Sequence, residues 1–385
     1  MINIYHTHSG YNEYRNFLYL TENKHQGILF KKEYDWYKIR THLTYIIQKK
    51  VDNFRLNQHL SCFPHPPNTV FHFFNGISHG KKPWICSFEK NLPRFGPQYE
   101  SHIPKGINAI ASPYCKKIIA ISNCAANWEK QFIEIKTPKS IADEINSKMI
   151  IMHPPQKKII DSIEEKRLSY KKHDTLTFTF VGDQFFRKGG REILKAFLAL
   201  PATMRFRLNI VSILEPDTYA SATNDRDAAV LKERIKTLPS NFQFYSNIPN
   251  TQVIELLKMS HIALLPTYAD TYGYFTLEAQ ACGCPVITTN VEAMPEINND
   301  ECGWVIPIEL DNLKNAILRT EKNRNEASET IEKNLYQILI SIFNNPETIL
   351  PKANESLNRI RKFHDPTNHA SQLMKIYSSA VHLNQ

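Results

Sequence analysis

Strand-like and helix-like segments alternate along the second half of the chain, and this order limits the possible folds more than any other feature of the sequence. Helix-like segments at 188–200, 251–259 and 313–319 separate short runs rich in β-branched and aromatic residues. Such alternation is typical of a parallel sheet with helices on both faces. It predicts strands at 177–181, 206–213, 243–246, 262–265, 286–289 and 304–308.

The first half of the chain also contains strand-like segments, so the sequence predicts a second sheet. At 385 residues the chain is too long for one ordinary core, and we expect two domains. The charged segment 153–174, which opens with two prolines, marks the break between them. This predicts a domain at 1–155, a linker at 156–174, a domain at 175–362 and a final helical segment at 363–385. The strands of the first half are predicted at 2–6, 27–30, 70–74, 84–88, 118–121 and 149–152.

The segment 270–296, DTYGYFTLEAQACGCPVITTNVEAMPE, places a glycine turn between two acidic residues, Asp270 and Glu278. A short helix follows the turn, and a strand follows the helix. A helix N-terminus in this position presents backbone N–H groups to a phosphate. Two acidic residues at this spacing also fit an ordinary helix start, where they interact favourably with the helix dipole.

A second motif of the same kind lies upstream. In the segment 176–197, LTFTFVGDQFFRKGGREILKAF, a strand ends near Gly182 and a helix opens at Lys188-Gly189-Gly190. Glycines allow close backbone approach, and Lys or Arg side chains bind diphosphates. Alone, this motif fits a solvated helix start. Two such motifs in this order, each after a plausible strand, indicate a diphosphate site.

Together the two motifs resemble the donor-binding core of retaining nucleotide-sugar glycosyltransferases of the family-4 type, which have the GT-B fold and are described as glycosyl transferases group 1. The resemblance is strong over residues 176–309 and weak over the first domain. It implies an α/β protein with two Rossmann-like, doubly wound domains that face an interdomain cleft. It also implies a nucleotide diphosphate sugar in the second domain and an acceptor on the side of the first.

The resemblance assigns roles to residues of the second domain. The family's first acidic residue lies near the transferred sugar, and here it is Asp270 rather than the usual Glu. The second, Glu278, bonds the nucleotide ribose. Asp183 stands where the family often has Arg, so we expect Arg187 to supply that charge. The residues implied to contact the diphosphate are Arg187, Lys188, Gly273, Tyr274, Phe275 and Thr276.

Two features of the first domain are candidates for the acceptor side. Relatives often carry a His near the donor sugar at the strand end where this chain has Glu89. Glu89 would then bond a sugar hydroxyl or receive the acceptor proton as a base. The alternative is a surface carboxylate paired with Lys90 or Arg94. After the first strand, Ser9-Gly10 replaces the longer glycine-rich loop that the family often has.

The segment 34–60 is aromatic and basic, and it has an apolar face at helical spacing. One interpretation is a helix that lies on an anionic membrane and meets a lipid-linked acceptor. The favoured alternative is an amphipathic helix that packs on its own sheet. The apolar face consists of Ile39, Leu43, Ile46, Ile47, Val51 and Phe54.

Composition and motifs limit the cofactors and partners. The net charge of +9 suggests an anionic partner, such as a nucleotide diphosphate or a membrane surface. The seven cysteines are odd in number and contain no Cys-x-x-Cys pair, which indicates reduced thiols and no zinc site. The triplet at 225–227, Asp-Arg-Asp, is interpreted as a helix start rather than a metal ligand set. We therefore expect no metal and no cofactor beyond the nucleotide sugar.

No secretory signal and no apolar run long enough to span a bilayer is visible in the sequence. We expect a cytoplasmic enzyme, possibly peripheral on the inner face of the membrane, that transfers a sugar to a glycan or lipid-linked acceptor in surface polysaccharide or lipopolysaccharide biosynthesis. One alternative is a nucleotide-sugar epimerase of the same fold, which needs no acceptor. A second is a basic nucleic-acid-binding protein, which only the net charge suggests.

Overall fold

The structure is a computed structural model that describes residues 1–22, 27–48 and 53–382. Its contacts divide the chain into two compact units. The first unit consists of Met1–Pro155 and His364–Gln385, and the second of Gln156–Phe363. Each unit has its own parallel sheet.

The first unit contains a six-stranded sheet in the order β2-β1-β4-β6-β7-β8, and all neighbouring strands pair in parallel. Strand β4 is buried along its whole length, as expected for a central strand with helices on both faces. The pair β3 and β5, which the sequence did not predict, forms a separate two-stranded sheet. The strands are β1 Ile2–His6, β2 Ile28–Lys32, β3 Gln58–His59, β4 Thr69–Phe74, β5 Ile77–Ser78, β6 Trp84–Phe88, β7 Cys115–Ala120 and β8 Met149–Ile151.

In the described part of the first unit, six α-helices precede the last strand. Helix α5 begins where Ser122 accepts a hydrogen bond from the Ala125 N–H at 2.9 Å, an N-cap that satisfies a free donor of the first turn. The helices are α1 Tyr11–Asn16, α2 Trp36–Gln48, α3 Asn53–Leu56, α4 Ile103–Ala111, α5 Asn123–Lys136 and α6 Lys139–Lys148.

Within the predicted amphipathic segment the structure describes α2 and α3, and three residues of the apolar face are exposed. Ile39, Leu43 and Ile46 are 38%, 55% and 55% exposed. The favoured interpretation, a helix that packs on its own sheet, is therefore wrong for these three positions. Val51 and the side chain of Ile47 lie outside the described residues.

The second unit also contains a six-stranded parallel sheet, in the order β11-β10-β9-β12-β13-β14. This is the strand order of the Rossmann fold. The order reverses between β9 and β12, so loops at their carboxyl ends diverge and leave a crevice for a ligand. The strands are β9 Leu176–Gln184, β10 Phe206–Ile213, β11 Phe242–Tyr245, β12 Ile262–Leu265, β13 Val286–Thr289 and β14 Gly303–Ile306.

The helices of the second unit differ from the prediction at one place. Residues 313–319 are not helical, because the chain turns at 311–315, where the Asp311 carboxylate accepts the Leu313 and Asn315 N–H groups at 2.9 Å each. Such side-chain bonds to the backbone compete with helix formation. The helices are α7 Gly190–Leu198, α8 Asp225–Lys236, α9 Asn250–Lys258, α10 Tyr274–Ala281, α11 Met294–Ile297, α12 Glu321–Asn344 and α13 Ile349–Phe363.

The segment 156–174, expected to link the domains, lies within the second unit. Ile160 and Ile163 are buried against Ala353 and Leu357 of α13. Nearby, the buried Lys166 ammonium donates to the carbonyl oxygens of Leu257 and Cys282, at 3.1 and 3.0 Å, where α9 and α10 end. Cations at these helix ends satisfy free carbonyl groups.

The last helix, α14 Pro366–His382, belongs to the first unit. The Tyr377 ring is fully buried there, and its hydroxyl lies 2.7 Å from Nδ1 of His72 on β4. The Tyr19 hydroxyl lies 2.8 Å from Nδ1 of His369. These buried polar pairs fix α14 against the sheet of the first unit.

Candidate functional site

The two motifs of the second unit meet in the structure. The loops that carry them follow β9 and β12, the neighbouring strands between which the strand order reverses; we call this place the switch point. The Lys188 ammonium forms an ion pair with Oδ2 of Asp270, and the two side chains are only 14% and 17% exposed. The Tyr268 N–H donates to the Arg187 carbonyl oxygen at 2.9 Å. A single ligand bound here would therefore contact residues of both motifs.

Gly189 allows the close approach of the two loops. Its φ is +81°, in the left-handed region that side chains disfavour. A Cβ at this position would collide with the backbone carbonyl oxygen of Pro266, which directly follows β12. The glycine predicted to permit backbone approach thus permits contact between the two loops.

Asp270 holds the turn that opens α10. Its Oδ1 accepts the N–H groups of Gly273 at 2.8 Å and Tyr272 at 3.3 Å, while its Oδ2 pairs with Lys188. An Asp side chain is short enough to bond the backbone two or three residues ahead. Gly273 has a φ of +78°, and a Cβ there would collide with the Met294 side chain. Both oxygens of the first acidic residue therefore have partners within the protein.

Arg187 contributes a cation with an unused donor. Its Nε is buried and has no hydrogen-bond partner among the described residues. Its carbonyl oxygen, by contrast, accepts from the Tyr268 N–H and, at 3.2 Å, from the Thr267 hydroxyl. A buried unpaired donor costs free energy, more so on a charged group. This donor beside Lys188 indicates a place for an anion.

The other predicted donor contacts lie on α10 and differ in accessibility. Glu278 is 8% exposed, and Tyr274 and Phe275 are half-buried. Thr276 is fully buried, and its N–H donates to the Gly273 carbonyl oxygen at 2.8 Å. Its hydroxyl and N–H are thus directed to the protein interior and to the turn, so Thr276 shapes the helix start.

In the first unit, Glu89 follows β6 and is held by its neighbours. Its carboxylate pairs with Arg94 and accepts from Nδ2 of Asn75 at 3.2 Å. The Glu89 N–H donates back to Oδ1 of Asn75, also at 3.2 Å. The ion pair that the alternative interpretation expected is therefore present, and it fixes the carboxylate at the strand end.

Ser9 and Gly10 follow β1 and precede α1. The Gly10 N–H donates to Oε2 of Glu13 at 3.1 Å. Glu13 and His8 line a small cavity at the carboxyl ends of β1 and β4. Burial raises the pKa of Glu13 and, with Lys38, lowers the pKa of His8 to about 4. The sequence did not single out Glu13, because nothing in its local pattern separates it from a surface helix residue.

Among residues 1–22, 27–48 and 53–382, no group of three or more His, Cys, Asp or Glu side chains is arranged to hold a metal. The acidic triplet at 225–227 begins α8, where Oδ2 of Asp227 accepts the Asn224 N–H at 2.8 Å. In this same part of the chain, no helix is both long and apolar enough to cross a membrane.

Two Rossmann-like units with parallel sheets, the second with a basic site at its switch point, define the class: this is a GT-B fold. A solved structure of HepE from Anabaena in complex with UDP superposes with a TM-score of 0.59 over 98% of this chain and 100% of HepE, at 12% identity. The family model described as glycosyl transferases group 1 matches residues 161–337 of this chain.

Curated relatives are similar over part of their length. The lipopolysaccharide glucosyltransferase WaaG of Escherichia coli K12 is 28% identical over 158 residues, which are 40% of each protein. The capsular polysaccharide biosynthesis glycosyltransferase CapM of Staphylococcus aureus is 26% identical over 185 residues, 45% of this chain and 44% of CapM. The chain thus matches less than half the length of these relatives.

Proposed function

We propose that this protein transfers a sugar from a nucleotide diphosphate sugar to a glycan or lipid-linked glycan acceptor, with retention of the anomeric configuration. The observation that carries the proposal is the buried Nε of Arg187, next to Lys188 in the second unit, which has no partner in the part of the chain that the structure describes. Two cations and a helix N-terminus there suit a diphosphate. WaaG and CapM favour a role in surface polysaccharide or lipopolysaccharide biosynthesis.

In the proposed reaction, the leaving group is the nucleoside diphosphate. Arg187, Lys188 and the N-terminus of α10 neutralise the charge that develops on it as the glycosidic bond breaks. These groups supply the charge without a metal ion, so we propose a metal-independent transfer. Glu278 bonds the ribose. When Lys188 turns from Asp270 to the phosphate, Oδ2 of Asp270 becomes available to the sugar.

On the acceptor side, we propose that Glu89 receives the proton of the attacking hydroxyl or bonds a sugar hydroxyl. Its ion pair with Arg94 and its bonds to Asn75 hold the carboxylate in one orientation. Ser9 and Gly10 follow β1 at the same carboxyl-terminal side of the sheet, and Glu13 accepts the Gly10 N–H. A base fixed by such partners keeps its geometry for proton transfer.

The first experiment is a thermal-shift screen against UDP, GDP, ADP, CDP and their sugars, with and without Mg²⁺. The UDP complex of HepE makes the uridine nucleotides the first candidates. A ligand that binds only the folded protein raises the unfolding midpoint by mass action. We expect one nucleotide family to raise it without metal, and Lys188→Ala and Glu278→Ala to abolish the rise.

Lys195→Ala is the matched control, because Lys195 lies on α7 and forms an exposed ion pair with Glu332. It should keep the full shift. The absence of a shift with any nucleotide would contradict the proposal. Conversion of the donor without acceptor, followed by NMR, would identify an epimerase, and binding of arbitrary DNA alone would identify a nucleic-acid-binding protein.

The exposed face of α2 supports a second part of the proposal, contact with an anionic membrane. Trp36 is 54% exposed and continues the stripe of Ile39, Leu43 and Ile46 at helical spacing. We expect the protein to sediment with vesicles that contain phosphatidylglycerol. Leu43→Ser/Ile46→Ser should abolish this, whereas Val230→Ser, at an equally exposed site on α8, should not. Equal sedimentation of all three proteins would contradict the proposal.

A further inference from the structure

A second, larger cavity of the first unit has no role in the function proposed so far. Its volume is about 330 Å³, within the roughly 300–1,000 Å³ range of small-molecule pockets. It lies among α2, α3, β3 and the segment that leads into α4. Its described lining includes three cations and three aromatic rings: Arg40, Arg55, Lys105, Tyr37, Phe54 and Tyr99.

The charged residues in the described lining of this cavity are all cations. No carboxylate is among its described lining residues. Glu100, next to Tyr99 in the sequence, is instead paired with Lys136 at 2.6 Å. Arg55 is held in place by a hydrogen bond from Nη1 to the Thr44 hydroxyl at 2.6 Å. Three cations around one concave surface attract an anion, and guanidinium groups suit phosphate and carboxylate oxygens.

The aromatic part of the cavity is rigid. The rings of Phe54 and Tyr99 stack with centroids 4.0 Å apart and planes 15° from parallel. Phe95 and His102 contact the Phe54 ring edge to face, at 4.7 and 4.9 Å. Packed rings present a fixed apolar surface at little cost in conformational entropy. The C–H face of a sugar ring fits such a surface.

Gln58 connects this basic cavity to the edge of the sheet. It lines both the basic cavity and the small cavity that Glu13 and His8 line at the ends of β1 and β4. Gln58 is buried, donates to the Phe54 carbonyl oxygen at 3.2 Å and lies 3.0 Å from Nε2 of His79. Gln58 therefore separates a ligand in the basic cavity from the carboxyl ends of the strands, where the acceptor is proposed to bind.

We propose that the basic cavity binds an anionic sugar residue of the acceptor, one that carries a phosphate or a carboxylate group. Arg40, Arg55 and Lys105 bind the anionic group, and the sugar ring lies on the Phe54–Tyr99 pair. This inference rests on the proposed transferase function, since it names the class of its acceptor. A bounded pocket with one ring pair fits one or two sugar units better than a nucleic-acid strand, which requires a continuous groove.

The test uses three octyl glycosides as probes: octyl glucoside, octyl glucoside 6-phosphate and octyl glucuronide. Binding is measured by calorimetry on the full chain, below micelle-forming concentrations. We expect at least one anionic probe to bind ten times more tightly than octyl glucoside. Arg40→Gln/Lys105→Gln should remove that difference. Both side chains are exposed, so the fold should be retained.

Lys130→Gln/Lys139→Gln is the matched control, because it changes the charge of the same unit equally at two exposed helix positions. It should keep the preference. Competition with inorganic phosphate shows whether the phosphate group alone is recognised. Equal affinities for neutral and anionic probes, or tighter binding of a single-stranded oligonucleotide than of either anionic probe, would overturn the proposal.

The failure of this proposal is distinguishable from failure of the transferase function. Nucleotide shifts are measured on the same variants. Arg40→Gln/Lys105→Gln should keep the wild-type shift, since its substitutions lie in the other unit from Lys188 and Glu278. If nucleotides shift the unfolding midpoint normally but anionic probes bind no more tightly than octyl glucoside, only the acceptor proposal is contradicted. If no nucleotide shifts the unfolding midpoint, the proposed function itself is contradicted.

Discussion

The two units have similar sheets but place different kinds of groups at the carboxyl ends of their strands. In the second unit, the loops after β9 and β12 contain glycines at positive φ, an ion pair and a helix N-terminus. In the first unit, the loops after β4 and β6 and the helix after β1 carry bonded carboxylates and amides, such as Asn75, Glu89 and Glu13. A diphosphate is bound by backbone and cations at fixed spacing, so its site leaves a motif. An acceptor is bound by individual side chains, which leave none.

The largest expected effect tests whether the second unit alone holds the donor. Lys188→Gln should lower transfer activity by about 100-fold or more, because a donor aimed at the developing charge is lost. Lys188→Gln also leaves Asp270 without its cation, so Asp270→Asn/Lys188→Gln controls for the unpaired carboxylate. Initial rates and nucleotide shifts are measured together. If Glu89→Gln in the first unit weakened nucleotide binding as much as Lys188→Gln does, the donor would not be held by the second unit alone.

The next effect tests whether backbone approach is particular to the second unit. Gly189→Ala should weaken nucleotide binding about tenfold, since the Cβ collides with the Pro266 carbonyl oxygen and the positive φ is strained. Gly80→Ala in the first unit is the control. Its Cβ would meet only the Ser78 hydroxyl, at 3.4 Å, and its φ is not positive. The nucleotide affinities of the two variants are compared by measuring the unfolding midpoint at increasing nucleotide concentrations. Similar affinities in both variants would contradict the requirement for glycine.

The smallest effect concerns a buried acid in each unit. Glu192 in the second unit lies 3.1 Å from Arg191 and accepts from the Ser328 hydroxyl at 2.6 Å. Among the described residues, Glu129 of the first unit accepts only the Leu92 N–H, at 2.7 Å, and burial raises its pKa to about 8. The folded protein therefore keeps a proton on Glu129 that the unfolded chain releases above about pH 4.5. Stability must fall as the pH rises from there through about 8.

Glu129→Gln should remove this pH dependence and still accept the Leu92 N–H. We expect the unfolding midpoint of the variant to exceed that of the wild type by a few degrees at pH 8, and the gap to close near pH 5. Differential scanning calorimetry at several pH values measures it. A constant gap at all pH values would show that Glu129 does not titrate in this range.

The sequence predicted the second unit in more detail than the first. Strands β10, β12 and β13 have the predicted bounds, because short apolar runs between glycines and prolines are clear signals. The two-residue strands β3 and β5 carry no periodicity, so they were missed. The turn at 311–316 was mistaken for a helix, because the pattern does not show that the Asp311 carboxylate bonds the backbone.

The roles of the predicted site residues stay predictions, and the sequence did not show how these residues contact one another. Lys188 and Asp270 come from separate motifs, and only the pairing of β9 with β12 makes them partners. The burial of Thr276 follows from the rotation of α10, which the glycine turn does not reveal. In the first unit, the roles of Glu89, Ser9 and Gly10 stay predictions. Their surroundings depend on loops whose sequences have no shared pattern.

The ion pair between Lys188 and Asp270 has a consequence for ionic strength. In the second unit the Lys188 ammonium is already paired with Asp270, so the proposed nucleotide would exchange one ion pair for another. The basic cavity of the first unit has no carboxylate in its described lining to exchange. Added salt should therefore weaken anion binding in the first unit steeply and nucleotide binding in the second only slightly. We therefore expect the proposed donor to stay bound at salt concentrations that release the proposed acceptor.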